Sequence, residues 1–175
     1  SRTVSPMHGE GAPSDWITRW GAQLPAPGCA LDLACGAGRH TRWLLERGYQ
    51  VTAIDRDPKA LGQLPAGATG LQADVERGPW PIPGAEFEVV VVTNYLWRAL
   101  LPLLLHTVTR GGWLLYETFA QGQERWGRPS RPEFLLAPGE LMGLCATWHV
   151  RGYEDTTLHE PTRRVQRIAA QRPGR

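Results

Sequence analysis

The chain has 175 residues, 42% of them hydrophobic, and a formal net charge of +2. That length suits one compact domain with a sizeable core, and a charge so close to balance is not that of a strongly basic nucleic-acid binder. Three cysteines in no paired spacing (Cys29, Cys35, Cys145) and five histidines without ligand spacing exclude a disulfide framework, and no metal is expected.

In chain order, residues 1–13 are polar and glycine-rich and read as a flexible tail, followed by a single domain over 14–172. The chain opens on Ser1 and not Met, so a native start upstream is expected. Ala30, Leu31 and Leu33 make a short buried strand that runs into Gly36 and Gly38 and then into a helix over 40–46. A strand that turns through glycine into a helix brings ligand atoms against bare backbone, with helix N–H groups facing them. Thr41 stands where a dinucleotide fingerprint needs its third glycine, so a nicotinamide reading fails in register.

Residues 49–54 predict the next strand, closing on Asp55, an acid roughly 20 residues past the turn and suited to ribose hydroxyls. A third strand over 70–73 ends on Asp74-Val75. The run 87–92 is β-branched and continuous, as expected of a central parallel strand covered on both faces, and ends at Thr93-Asn94-Tyr95. An apolar segment over 96–108 predicts a helix from about Leu100, with Pro102 in its first turn. Gly111-Gly112 resets the chain into a fifth strand over 113–119. Pro138-Gly139-Glu140 reads as a helix start. Segments 148–157 and 163–170 flank a turn at His159-Glu160-Pro161 and read as an antiparallel closing pair. Alternation puts Arg163, Val165, Arg167 and Ala169 on one face of the last strand, which reads as half-solvated.

Asp32 before a turn of small residues, then Asp55, then Asp74, in that order, resemble the three cofactor motifs of class I S-adenosylmethionine-dependent methyltransferases. One departure is Ala34, where the family has its first glycine. Within that superfamily, Gly48-Tyr49-Gln50-Val51-Thr52-Ala53-Ile54-Asp55 and the run ending Glu140-Leu141 resemble small bacterial methyltransferases of the tellurite-resistance type. The resemblance covers roughly residues 16–172. It implies an α/β, Rossmann-like, doubly wound, mostly parallel seven-stranded sheet with a C-terminal antiparallel strand pair. It also implies S-adenosylmethionine as cofactor, held by Asp32, Ala34, Gly36, Gly38, Asp55, Arg56, Asp74, Val75 and Asn94.

The acceptor side departs from those relatives at residues 95–98 and in the long connection 121–137, which exceeds the usual loop length of about 4–6 residues several-fold. Tyr95, Arg98, Glu117 and Arg128 are the candidate substrate-binding residues. The connection is expected to cover the acceptor site, its arginines meeting an anionic group, with residues 134–136 anchoring its far end. Glu117 and Tyr95 are the candidates for proton handling, and no catalytic residue is assigned. A small-molecule methyl acceptor is expected. RNA as acceptor, and a non-catalytic cofactor-binding sensor or partner subunit, stay open as alternatives. Arg98, Pro102 and His106 interrupt the most apolar stretch, short of the roughly 20 residues a membrane span needs, and no signal peptide is visible, so a cytoplasmic protein is expected.

Overall fold

The computed structural model describes residues 8–174. Of the stretch read as a tail, residues 1–7 lie outside the described residues. Seven strands are formed among those described: β1 (Cys29–Leu33), β2 (Gln50–Asp55), β3 (Thr69–Gln72), β4 (Phe87–Thr93), β5 (Val108–Phe119), β6 (His149–Leu158) and β7 (Arg163–Gln171). They make one sheet in the order β3-β2-β1-β4-β5-β7-β6. The first five neighbours pair in parallel, whereas β7 runs antiparallel between β5 and β6. Helices α1 (Asp15–Arg19), α2 (Arg39–Glu46), α3 (Pro58–Leu61), α4 (Leu101–Thr107) and α5 (Glu140–Leu144) supply the covering layers.

The valine run of β4 shows how the core is organised. Val90 and Val92 pack with Leu31, Leu33, Leu104 and Ile168 on one face. Val89 and Val91 pack with Trp16, Leu44 and Ala169 on the other. A strand buried on both faces has no polar side, which is why this segment reads as an unbroken apolar run. Pro102 sits in the first turn of α4, where its missing N–H costs no helical bond.

Two elements differ from the sequence reading. β5 begins already at Val108, not at Trp113: Phe87 pairs with Val108, then the register slips so that Val89 pairs with Trp113. The glycines are thus inside a bulged strand and do not merely precede it. β7 is also not half-solvated. Every residue from Val165 to Ala170 is buried, Gln166 and Arg167 included, because β6 covers the edge that β7 would otherwise expose.

That topology places the site. The chain leaves β1 toward β2 and β3 on one side and returns to β4 and β5 on the other. The crevice therefore opens beyond the carboxyl ends of β1 and β4, where the strand order reverses.

Candidate functional site

The turn after β1 is left-handed at three of its residues: Ala34 (φ 54°), Gly36 (φ 55°) and Gly38 (φ 87°). A methyl-bearing residue in that region costs about 1–2 kcal/mol, so the strain at Ala34 is held in place by its surroundings. The Cys35 N–H donates to the carbonyl of Ile54 at 3.0 Å, and the Gly36 N–H to Asp55 Oδ2 at 2.9 Å. The other Asp55 oxygen accepts from the Asp57 N–H at 2.9 Å. Turn and second-strand acid are thus one rigid unit, and both face the crevice.

Asp32 lies beneath this unit and does not line the crevice. It is fully buried and accepts from the Thr41 hydroxyl at 2.8 Å, tying the end of β1 to α2. Burial pushes its carboxyl up to about 7. Gly38 is likewise structural, the N-terminal cap of α2.

Part of the stretch read as a flexible tail completes the turn: His8 and Gly9 are packed against it because the turn's free N–H groups donate to their carbonyls. The His8 carbonyl accepts from the Ala37 N–H at 2.7 Å, and the Gly9 carbonyl from the Arg39 N–H at 2.8 Å. His8 Nε2 lies 3.0 Å from the Ala34 carbonyl oxygen, so the ring reaches the crevice wall. A Cβ on Gly36 would fall 2.0 Å from the His8 carbonyl oxygen, and no L side chain fits there. No periodicity in a polar, glycine-rich stretch signals such a crossing.

The crevice has a volume of about 520 Å³, within the rough range of 300–1,000 Å³ usual for small-molecule sites. Ala34, Gly36, Asp55, Arg56, Asp74, Val75, Asn94 and Tyr95 all line it. Asp74 Oδ1 accepts from the Glu76 N–H at 3.0 Å, which turns the chain and leaves Val75 on the wall. Asn94 is left-handed (φ 53°), and its N–H donates to the Glu117 carbonyl at 2.9 Å. Tyr116 donates its hydroxyl to the Tyr95 carbonyl at 2.7 Å, while the Tyr95 hydroxyl donates to Glu76 Oε2 at 3.0 Å. Burial, then the hydrogen bond to Glu76, raise the Tyr95 phenol above its ordinary range.

Three candidates are placed elsewhere. Glu117 points away from the crevice, accepting from Ser14 Oγ at 2.9 Å and pairing with Arg167 at 3.1 Å. Arg167 also pairs with Glu154 and stacks on Trp16, so Glu117 belongs to a buried polar network that fastens α1 to the sheet. Ser14 extends it, its N–H donating to His40 Nε2 at 3.0 Å, and burial drives that imidazole down to about 3. Arg98 is fully engaged: Nε and Nη2 hold the Glu140 carboxylate at 2.8 and 2.9 Å, and the guanidinium also donates to the carbonyls of Glu133 and Leu135. Arg128 is exposed and does not line the crevice.

The loop 121–137 does reach the site, through Pro129 and Phe134 and not through its arginines. Its near end is fixed by buried Gln123, which accepts from the Arg164 N–H at 2.8 Å and donates to the Arg128 carbonyl at 3.1 Å. At its far end Leu135 and Leu136 are buried, and the Leu136 N–H donates to the Phe119 carbonyl. Among the described residues no grouping of His, Cys, Asp and Glu suits a metal ion, and no helix is long and apolar enough to cross a membrane.

Comparison with known proteins agrees with this geometry. Residues 30–111, which carry β1 to β4 and the glycine turn, match the family described as a methyltransferase domain. The chain is 47% identical over 51 residues to YqeM of Bacillus subtilis, 29% of this chain and 21% of that one. It is 38% identical over 101 residues to the malonyl-(acyl-carrier protein) O-methyltransferase of Serratia marcescens. That match takes in 53% of this chain and 38% of the relative, so the chain spans well under half the length of either protein. Among solved structures, TehB from Haemophilus influenzae superposes with a TM-score of 0.74 at 19% identity, covering 90% of this chain and 61% of TehB. The N-methyltransferase NodS from Bradyrhizobium japonicum, in complex with S-adenosyl-L-homocysteine, superposes with a TM-score of 0.68 at 16% identity, covering 91% of this chain and 88% of NodS. The domain match thus lies over the strands that build the crevice, and superposition over nearly the whole chain shows that the protein has the fold of these methyltransferases.

Proposed function

We propose that the protein transfers the methyl group of S-adenosylmethionine to a small-molecule acceptor. The observation that carries this reading is the chemistry of the crevice wall. Backbone at Ala34 and Gly36 faces four carboxylates, Asp55, Asp57, Asp74 and Glu76, and the single guanidinium of Arg56. An acceptor-rich wall suits a cationic sulfonium that also carries a ribose diol and an adenine amino group. Asp55 and Asp74 would take the ribose and adenine donors, each hydrogen bond to a charged group contributing about 1.5–3 kcal/mol.

When bound, the cofactor supplies a methyl group already activated by the sulfonium. The chain's own work is to hold the acceptor in line and keep water out. The Tyr95 phenol, raised by burial and held by Glu76, stays protonated at neutral pH; its one hydrogen goes to Glu76, so toward the acceptor its oxygen orients by accepting a hydrogen bond and does not act as a base. Glu117, paired with Arg167 and outside the crevice lining, does not meet the acceptor. Pro129 and Phe134 close the crevice over the acceptor end.

Calorimetry against S-adenosylmethionine, S-adenosylhomocysteine and NAD tests the reading. Micromolar binding of the first two and none of the third is expected. Binding of NAD alone would overturn it, and so would the absence of homocysteine-nucleoside product with every acceptor tried.

A further inference from the structure

The half of the crevice nearest the long loop has a different lining from the half at the strand-end acids. Tyr95, Leu96, Thr118, Phe119, Pro129 and Phe134 form it. No charged side chain is among them. Glu76, which borders it, is engaged by the Tyr95 hydroxyl. The cations that an anionic acceptor would need are present in the sequence of this region but are committed elsewhere. Arg98 is spent on Glu140 and two carbonyls, Arg131 pairs with Glu133 and lies over the Phe134 ring, and Arg125 and Arg128 stand outside the lining.

An anion brought into this half would lose its water, meet three aromatic rings and find no cation in its lining, while toward β2 and β3 the wall sets four carboxylates against the one guanidinium of Arg56. An uncharged molecule with an apolar body loses little on entry and gains contact with Phe119 and Phe134. The two hydroxyls, of Tyr95 and Thr118, are the polar groups able to orient it.

We propose that the acceptor is a small uncharged molecule with an apolar body, seated between Phe119 and Phe134, and that the site turns away anions, oxyanions included. This rests on the methyltransferase reading above and names the substrate class of the same crevice.

The test uses two thiols of nearly the same shape and different charge, 4-(mercaptomethyl)benzamide and 4-(mercaptomethyl)benzoate, with the full chain loaded with S-adenosylhomocysteine and binding read by calorimetry. Loading itself reports on the methyltransferase reading: a protein that does not take up S-adenosylhomocysteine fails there, before any acceptor is added. In a loaded protein the neutral thiol is expected to bind at least about tenfold more tightly than its carboxylate counterpart. With S-adenosylmethionine in place of its product, the thiol sulfur gains the methyl carbon. The sulfonium sulfur keeps the electron pair of the broken bond, and the thiol proton leaves to solvent. Phe134→Ala should weaken the neutral probe severalfold, while Phe134→Arg should narrow or reverse the preference. Phe134 is more than a third exposed, so both variants should fold. Equal or tighter binding of the carboxylate by the parent protein overturns the proposal. Failure of the neutral probe to bind at millimolar concentration overturns it too.

Discussion

The two halves of the crevice are built by different means. At the cofactor half, the wall is backbone and strand-end carboxylates, locked by partners within a short span: Gly36 to Asp55, Asp55 to Asp57, Asp74 to Glu76. At the acceptor half, the wall is a loop held by two side chains whose partners lie far along the chain. Gln123 reaches Arg164, 41 residues on, and Arg98 reaches Glu140, 42 residues on. The first arrangement is held entirely within the segment from His8 to Glu76. The second is rigid only while β7 and α5 are docked. A fold can therefore keep its cofactor site constant and change its acceptor by altering one loop and its two anchors.

The largest expected effect breaks the cofactor half alone. In Gly36→Val, a side chain at φ 55° meets the His8 carbonyl oxygen at 2.0 Å from its Cβ, so both the turn and the segment lying on it must shift. Binding of S-adenosylhomocysteine should be lost while the circular dichroism spectrum stays that of the parent. Retained affinity would show that the turn is not the cradle.

Next in size are two buried groups under the same half, whose pH effects oppose each other. His40, driven down to about 3 from 6.5, stays neutral in the folded protein while the unfolded chain protonates it. Its contribution is intact above pH 6.5 and is lost as the pH falls toward 3. Asp32 stays protonated in the folded protein up to about 7, whereas the unfolded chain ionises above 3.8. Its contribution is intact below pH 3.8 and is lost as the pH rises toward 7. Each amounts to as much as about 4 kcal/mol over its window. Relative to the parent, His40→Gln should therefore gain stability as the pH is lowered from 6.5 to 4. Asp32→Asn should lose stability over the same interval. Denaturant melts across that range check the signs, and parallel curves for the two variants would refute the assignment.

The same contrast explains what was legible in the sequence. The strands and the crevice acids Asp55 and Asp74 were readable because their signals are local: an unbroken valine run, a glycine turn, an acid at or just past a strand end. Asp32, inside β1, lies beneath the crevice instead. Placement of Glu117 and Arg98 was not readable. Both sit beside strand ends or turns as functional residues do, but their partners, Arg167 and Glu140, become neighbours only once β7 pairs with β5 and α5 docks. His8 was invisible for a related reason, since a single crossing held by two carbonyls leaves no pattern of side chains. The arginines of the loop misled because charge is readable from sequence, whereas its direction is not.

A smaller effect sharpens the line between the halves. Asp55→Ala should weaken S-adenosylhomocysteine by about 2 kcal/mol through loss of contacts to a carboxylate. Asp55 also holds the Gly36 and Asp57 N–H groups, so Asp55→Asn, which keeps one acceptor oxygen, should lose less. Equal affinity in parent and alanine variant would remove Asp55 from the site.

The smallest effect belongs to the acceptor half and should leave the cofactor untouched. Arg98→Ala deletes the bond to Glu140 and both carbonyl contacts that pin residues 133–135. The Arg98 side chain is 39% exposed, so water replaces much of what is lost and the global cost is about 1 kcal/mol. Loosening should instead be local. Of the loop arginines, Arg128 and Arg131 precede prolines and resist trypsin, which leaves the bond after Arg125 as its cleavage point. In the parent that bond lies in a short turn where the Arg125 and Trp126 N–H groups are both hydrogen-bonded. Cleavage there should quicken severalfold in Arg98→Ala, with S-adenosylhomocysteine affinity unchanged. If affinity fell along with protease resistance, the two halves would be one cooperative unit, and the acceptor loop could not vary independently of the cofactor site.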